Sequence, residues 1–322
     1  MNSFWRRSRR TASLLRRWGS MLLGRSYWHV PQGLGSRFSP GELAGYFNDL
    51  TAKVQWNGLV DDHGLPVNEV DGKRIYFATT LFQKALGHWD LWLGSPEGGE
   101  EHRSAFLAIA QWAVETQDER GGWSLWPLLG LDYPSPYSAM TQGEGISVLV
   151  RAYWLTRNAK YMVAARRALE PMRTPIEEGG TCRVVPEGLV LEEVPSEEYR
   201  AILNGWVFAL FGLHDYSFVA DGGDVSQLLK ESLAALVAYL PLYNAGYWSY
   251  YDLSGHLASP FYHQLHIAQL QALALAFPEY AGAFQNHRQI FQAQLRNPMG
   301  RLRAVAAKAW QKLRNPPEVV LR

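Results

Sequence analysis

Residues 261–277, FYHQLHIAQLQALALAF, are apolar nearly all round, with the polar groups confined to the first three turns. A surface helix would keep a polar face along its whole length, so this segment predicts a helix enclosed by other helices. Working outward, amphipathic stretches occupy about 78–93, 101–117, 143–157, 159–170, 199–216, 225–240, 280–294 and 299–314, joined by short loops of mixed Gly and Pro. Successive helices joined in this way must bury their apolar faces on one another. The expectation is a mainly α protein, an (α/α) toroid or barrel of helical hairpins with short β-hairpin insertions; an irregular helical bundle is the alternative. One insertion is TCRVVPEGLVLEEV at 181–194, with its turn at Pro186-Glu187-Gly188, and a second small hairpin is expected over 54–76, after a short helix near 41–50. GYWSYYDL at 246–253 reads as extended, with Tyr247, Ser249 and Tyr251 on one face and Trp248 and Tyr250 on the other.

Composition bounds the function classes. Of 322 residues, 47% are hydrophobic and 19% charged, which suits a packed core and excludes general disorder. The single cysteine, Cys182, excludes a disulfide framework, a CxxC redox pair and a multi-cysteine zinc cage. No P-loop, dinucleotide glycine fingerprint, nucleophile elbow or HExxH occurs. The formal net charge of +1 hides an uneven distribution: residues 1–25 carry +7 and residues 288–322 another +7, which leaves −13 for the body between them.

These features divide the chain into a basic amphipathic arm (1–30), a lead-in (31–77), a helical domain (78–297) and a basic amphipathic C-terminal helix (298–322). The arm has no signal-peptide h-region and no run is long enough to span a membrane, so a cytoplasmic protein with peripheral membrane contact is expected. Leu302, Val305, Ala309, Trp310 and Leu313 make an apolar stripe beside Arg301, Lys308 and Lys312. That stripe fits docking on an anionic membrane surface or a membrane-bound synthase, or packing on the body with the basic face in water. Nucleic acid is not expected, since the acidic body repels phosphates.

Four segments place polar and aromatic groups where a core would not want them. In 119–145, Gly121-Gly122-Trp123 forms a turn, and Tyr137, Ser138, Met140, Gln142 and Glu144 lead into an apolar helix whose N–H groups suit a carboxylate. Plain capping by Ser138 or Thr141 explains the same residues. In 190–205, Glu192 and Glu193 precede Asn204 and Gly205, which interrupt an otherwise apolar helix; an exposed acidic loop accounts for the glutamates but not for Asn204. The third segment is the aromatic stretch 246–253. In the fourth, 260–273, Tyr262, His266 and Gln269 share one helical face beside His263. His263 and His266 stand at i, i+3, but no third ligand pattern accompanies them, so no metal is expected.

In order and spacing, these segments resemble the C-terminal domain of the D-glucuronyl C5-epimerase family. The matching pieces are GGW at 121–123, YSAMTQGEG at 137–145, LVRAY at 149–153, LNGWVFALFGLHD at 203–215, YDL at 251–253 and YHQLHIAQLQ at 262–271, with LFQKALGHWDLWL at 81–93 upstream. The resemblance covers about 80–295 and implies a compact, bacterial-like epimerase converting glucuronate to iduronate in a heparosan-type polysaccharide without a cofactor. Epimerisation at C5 removes the hydrogen α to the carboxylate and returns one on the opposite face, so two acid–base groups must flank the ring. By resemblance Glu193 and Tyr262 are that pair and Tyr251 joins them in catalysis. Asn204 holds the sugar, and Tyr137, Ser138, Met140, Gln142, His263, His266, Gln83 and His88 line the site. The neighbouring histidines would make the Tyr262 phenol useful, and the family also implies a homodimer. Two positions depart from the family pattern: Val194 stands where a tyrosine follows the glutamate, and Ser254 where an arginine partners the uronate carboxylate, a loss His256 would offset in part. A polysaccharide lyase using the same proton abstraction, or a non-catalytic glycan-binding relative, are the rival readings.

Overall fold

The computed structural model describes residues 30–314 except 71, 96, 221 and 222, and only the backbone at 224, 312 and 313. The architecture is mainly helical. The principal helices are α1 (Ala78–Gly94), α2 (Glu100–Thr116), α3 (Ala139–Thr156), α4 (Ala159–Arg167), α5 (Glu170–Arg173), α6 (Leu203–Ser217), α7 (Gly223–Tyr239), α8 (Pro260–Ala276), α9 (Ala281–Arg296) and α10 (Pro298–Arg314). Four hairpins follow one another. Helices α1, α3, α6 and α8 pack in that order as an inner row, and α2, α4, α7 and α9 each back the inner helix before them. The inner helices are the apolar ones: α6 buries every residue from Leu203 to Tyr216, and α3 every residue from Ala139 to Ala152.

Two features lock α3 to α6. A Cβ at Gly143 would stand 2.6 Å from the Cα of Ala209, so the two backbones touch where glycine leaves room. Eight residues on, the buried guanidinium of Arg151 donates to Asp215 at 2.5 Å and also to the carbonyls of Ala44 and Gly45, both 3.3 Å away. The lead-in is thereby tied to the helical core. Tyr46 completes the junction with its ring beneath Arg151 and its N–H on Asp90 Oδ1 at 2.9 Å.

The short helix expected near 41–50 does not form. Its backbone groups are used elsewhere: Gly35 N–H donates to Phe47 O, Gly45 N–H to Arg37 O and Asp49 N–H to Gly33 O, and among the described residues the first helical turn is the 3₁₀ segment Thr51–Val54. A three-stranded antiparallel sheet follows, β1 (Leu59–Val60), β2 (Pro66–Val70) and β3 (Lys73–Ile75), where a hairpin was expected. The second hairpin, β4 (Cys182–Val185) and β5 (Gly188–Leu191), lies as predicted, with Val185 opposite Gly188. The predicted helix 199–216 begins only at Leu203, because Ala201 takes a left-handed φ of 42°. Segment 246–253 is a bent loop, not an alternating strand: Trp248 and Ser249 are neighbours, and both are fully buried.

The N-terminal arm, residues 1–29, lies outside the described residues. Helix α10 forms as expected, but its apolar stripe is divided. Ala304 and Val305 are buried against the body, whereas Leu302 and Trp310 stay more than half exposed. Among the described residues, no helix is long and apolar enough to cross a membrane.

Candidate active site

Glu193 follows β5, and its side chain lies over the first turn of α6. A Cβ added at Gly205 would come 2.6 Å from the Cβ of Glu193 and overlap its carboxyl group, so the glycine gives the carboxylate its seat. The Glu193 Oε2 atom is shielded from solvent and finds no hydrogen-bond partner among the described residues. Burial pushes its pKa up to about 8, and Glu192 and Asp252 push in the same direction. The N-terminal end of α6 beneath it favours the ionised form and opposes this shift.

Two phenols stand close enough to Glu193 to feel its charge. The rings of Tyr251 and Tyr262 stand 4.7 Å apart, and their hydroxyls are hydrogen-bonded to each other. Both pKa values lie above the ordinary tyrosine value, first through burial and then through the nearby Glu193 carboxylate. Ser259 starts α8 by accepting the Tyr262 N–H, with Pro260 at the first helical position, so the phenol is set by a capped helix end. Tyr251 is anchored through its backbone, which donates to His256 O at 2.6 Å and accepts from Leu203 N–H at 3.1 Å. Glu193, Tyr251 and Tyr262 are each half-buried.

Asn204 sits one residue before the glycine seat. Its Oδ1 is buried without a partner among the described residues, while its backbone carbonyl accepts from Gln269 Nε2 at 3.0 Å. Gln269 thereby fixes the turn of α6 that carries both Asn204 and Gly205. Glu192 contributes from below. It is fully buried, not part of an exposed acidic loop. It accepts the Ala201 N–H at 2.9 Å and pairs with Arg183 Nε at 3.4 Å, holding the left-handed residue that starts α6. Sequence reading missed this role because the contact spans a loop with no periodicity.

Several predicted site residues turn out to be internal fasteners. Gln142 is fully buried and spends its Nε2 on the carbonyls of Gly121 and Ala168, and its Oε1 accepts the Trp123 N–H. Tyr137 donates to Asp118 Oδ2 at 2.6 Å and packs on Gly122. His263 stacks on Trp248 at 3.7 Å, donates through Nε2 to Phe291 O and accepts at Nδ1 from Ser249. Ser249 Oγ also lies 3.1 Å from Nδ1 of His266, whose Nε2 is left buried without a partner among the described residues. Burial drives both imidazoles to the neutral form, with His263 lowered to about 4, so neither brings a positive charge to the Tyr262 phenol.

Ser138 does not cap α3, and Thr141 bonds Thr79 instead, so the capping account of that turn fails as well. The turn is held by Ala139 N–H on Glu192 O, which brings Ser138 and Met140 beside the glutamates. Gln83 faces the core and donates to Glu144 Oε1 at 2.9 Å. His88 lies elsewhere, in a cavity of about 410 Å³ between α1 and α2, with its Nδ1 3.0 Å from that of His102. Among the described residues no cluster of three metal-ligating side chains occurs.

The family model of the D-glucuronyl C5-epimerase C-terminus matches residues 127–289, about half of the chain. The chain belongs to this family. It is 33% identical over 202 residues to the D-glucuronyl C5-epimerase of Caenorhabditis elegans, covering 54% of this chain and 32% of that protein. It is 31% identical over 136 residues to an uncharacterized protein of Methanocaldococcus jannaschii, covering 41% of this chain and 44% of that one. The chain thus spans about a third of the worm enzyme and less than half of the archaeal protein. Glu193, Asn204, Tyr251 and Tyr262 all fall within the matched C5-epimerase region, whereas Gln83, His88 and α10 lie outside it.

Val194 and Ser254 each have a structural setting. Val194 is buried in an apolar cluster with Ile75, Phe77, Trp126 and Ile202, alongside Tyr251. Ser254 donates to Asp252 Oδ1 at 2.8 Å, and His256 Nδ1 lies 2.9 Å from Asp252 Oδ2. The carboxylate of Asp252 therefore already answers any charge on His256.

Proposed function

We propose that this chain epimerises D-glucuronate to L-iduronate residues at C5 within an anionic polysaccharide of the heparosan type. The four helical hairpins form an (α/α) toroidal frame around the reaction site. The supporting observation is the closeness of the half-buried Glu193, whose Oε2 has no hydrogen-bond partner among the described residues, to a hydrogen-bonded pair of phenols, Tyr251 and Tyr262.

In this reading the ionised Glu193 takes the C5 proton, and the electron pair moves into the uronate carboxylate as an enolate. Tyr262, kept neutral by its surroundings, delivers a proton to the opposite face. The hydrogen bond from Tyr251 then steadies the phenolate left on Tyr262. Asn204 offers its amide to the sugar. One proton leaves and one arrives, so no redox step is involved and no cofactor is invoked.

Incubation of heparosan in deuterated buffer tests the proposal. The expected outcome is deuterium at C5 of recovered, uncleaved chains. Chain cleavage with an unsaturated uronate at the new end would mean β-elimination instead, and binding without exchange would mean a non-catalytic module. Glu193→Gln and Tyr262→Phe should each lower exchange by at least about 100-fold with the fold intact. Because the base must be ionised and its pKa is raised to about 8, exchange should rise with pH and level off above about 8. A rate flat between pH 6 and 9 would remove Glu193 from the role of base.

A further inference from the structure

Helix α10 has two unlike faces. One is fastened to the body: Ala304 and Val305 are buried, and Gln311 accepts the Leu257 N–H and donates to Gly255 O, both at 3.1 Å. On the other, Met299, Leu302, Ala306 and Trp310 stand at i, i+3, i+7 and i+11 and form one line turned to solvent. Met299 is 74% exposed, Leu302 54% and Trp310 53%. Apolar side chains scattered singly over a surface need no explanation, but large ones aligned along a single helix make a contact patch.

Charge indicates what meets the patch. The segment Pro298–Arg314 carries Arg301, Arg303, Lys308, Lys312 and Arg314 and no acidic residue. Arg303 and Arg314 are exposed and follow Leu302 and Trp310 by one and four positions, so they flank the apolar line. The Arg314 guanidinium lies 3.8 Å from the centre of the Trp310 ring, and that of Arg303 lies 4.0 Å from the Tyr247 ring. The span 26–287 carries −13, so an anionic surface is drawn to this helix and repelled by the body. Two other occupants fit less well. A second copy docking through the same face would set one basic helix against another. A helix face of 17 residues, about 25 Å long and about 10 Å wide, also offers only roughly 250 Å², against about 800 Å² per partner in a stable dimer. Residues 1–25 carry +7 and would be repelled by α10 as a cover.

We propose that the outer face of α10 docks on an anionic lipid surface. The helix lies in the interface, with Met299, Leu302 and Trp310 entering the boundary between headgroups and acyl chains and the flanking arginines on lipid phosphates. Gln311 ties α10 to the segment that follows Tyr251, so docking would bring the candidate active site close to the membrane. The proposal does not depend on the epimerase reading.

The test floats the full chain with vesicles of phosphatidylcholine, made with and without phosphatidylglycerol. The wild-type protein should float with the anionic vesicles at low salt, stay behind with the neutral ones and be released at high salt. Leu302→Glu combined with Trp310→Glu should lower partitioning at least about 10-fold, and Arg303→Gln combined with Arg314→Gln about 10-fold, with melting temperatures unchanged. Val163→Glu combined with Val184→Glu adds the same charge at exposed sites on α4 and β4 and should retain partitioning. Equal loss in that control would overturn the proposal, because net charge alone would then account for binding. Undiminished flotation of the Leu302→Glu, Trp310→Glu variant would overturn it by assigning the contact to another surface. Failure of the wild-type protein to bind anionic vesicles would do the same. So would a wild-type dimer in solution that this variant turns into a monomer, since the face would then belong to a second copy.

Discussion

Gly205 shows how one missing methyl group can define a site. In the interior of a helix, Gly→Ala ordinarily stabilises by roughly 1 kcal/mol. Here the added Cβ would occupy the space of the Glu193 side chain. Gly205→Ala is therefore expected to cut C5 exchange by about 100-fold, the scale on which a misplaced catalytic group acts. Overpacking of roughly 1–3 kcal/mol should cancel the helical gain and lower the melting temperature slightly. Full exchange in the alanine variant would show that Glu193 does not need this seat. The sequence marks Asn204 and Gly205 as misfits in an apolar helix, but not what they serve, since Glu193 reaches them across a loop whose path depends on the left-handed Ala201. The same kind of signal pointed to Gln142, Tyr137 and His263, which proved to be bonded inward. A polar side chain on an apolar face signals either a ligand or an internal partner, and only the fold tells the two apart.

Among the elements, the pairing of α3 and α6 carries the frame, and it was legible in part. Among the described residues, hydrophobic periodicity located every long helix to within a few residues. It could not anticipate that Arg151, within an otherwise apolar stretch, would find Asp215 in another helix and the lead-in carbonyls beyond it. Nor could it show that 41–50 would spend its backbone hydrogen bonds on 33–37 instead of forming a helix. Asp215→Ala should destabilise the protein by about 3–5 kcal/mol in chemical denaturation, because the buried guanidinium loses its counter-charge. Replacing both partners, as Arg151→Met with Asp215→Leu, should recover much of that loss. If the double variant were as unstable as the single one, the guanidinium's bonds to Ala44 and Gly45 would be the larger contribution.

At the scale of the whole molecule, the buried ionisable groups predict how stability responds to pH. Burial raises Glu144 and Glu193 to about 8, and Glu192 and Asp90 to about 7. The folded protein therefore holds protons on these carboxyls that the unfolded chain has released above about pH 4.5. Stability must fall as pH rises through this window, and the fall ends once the folded groups have ionised, near pH 8. Buried histidines act in the opposite sense. His88 and His263 are lowered to about 4, so the unfolded chain takes up protons first and stability is lost as pH drops below about 6.5. The two trends oppose each other between pH 4.5 and 6.5, whereas above 6.5 the carboxyls act alone. The melting temperature should accordingly decline from pH 6.5 to 8.5. Glu144 provides the sharpest check, because it lies outside the proposed acid–base pair and already accepts from Gln83. Glu144→Gln keeps an acceptor for that bond and removes the ionisation, so the variant should be more stable than wild type at pH 8.5, nearly equal at pH 5, and shallower in slope between. An unchanged slope would mean that Glu144 is already ionised in the folded protein at neutral pH, with the half-buried Lys53 amine beside it as the compensating charge.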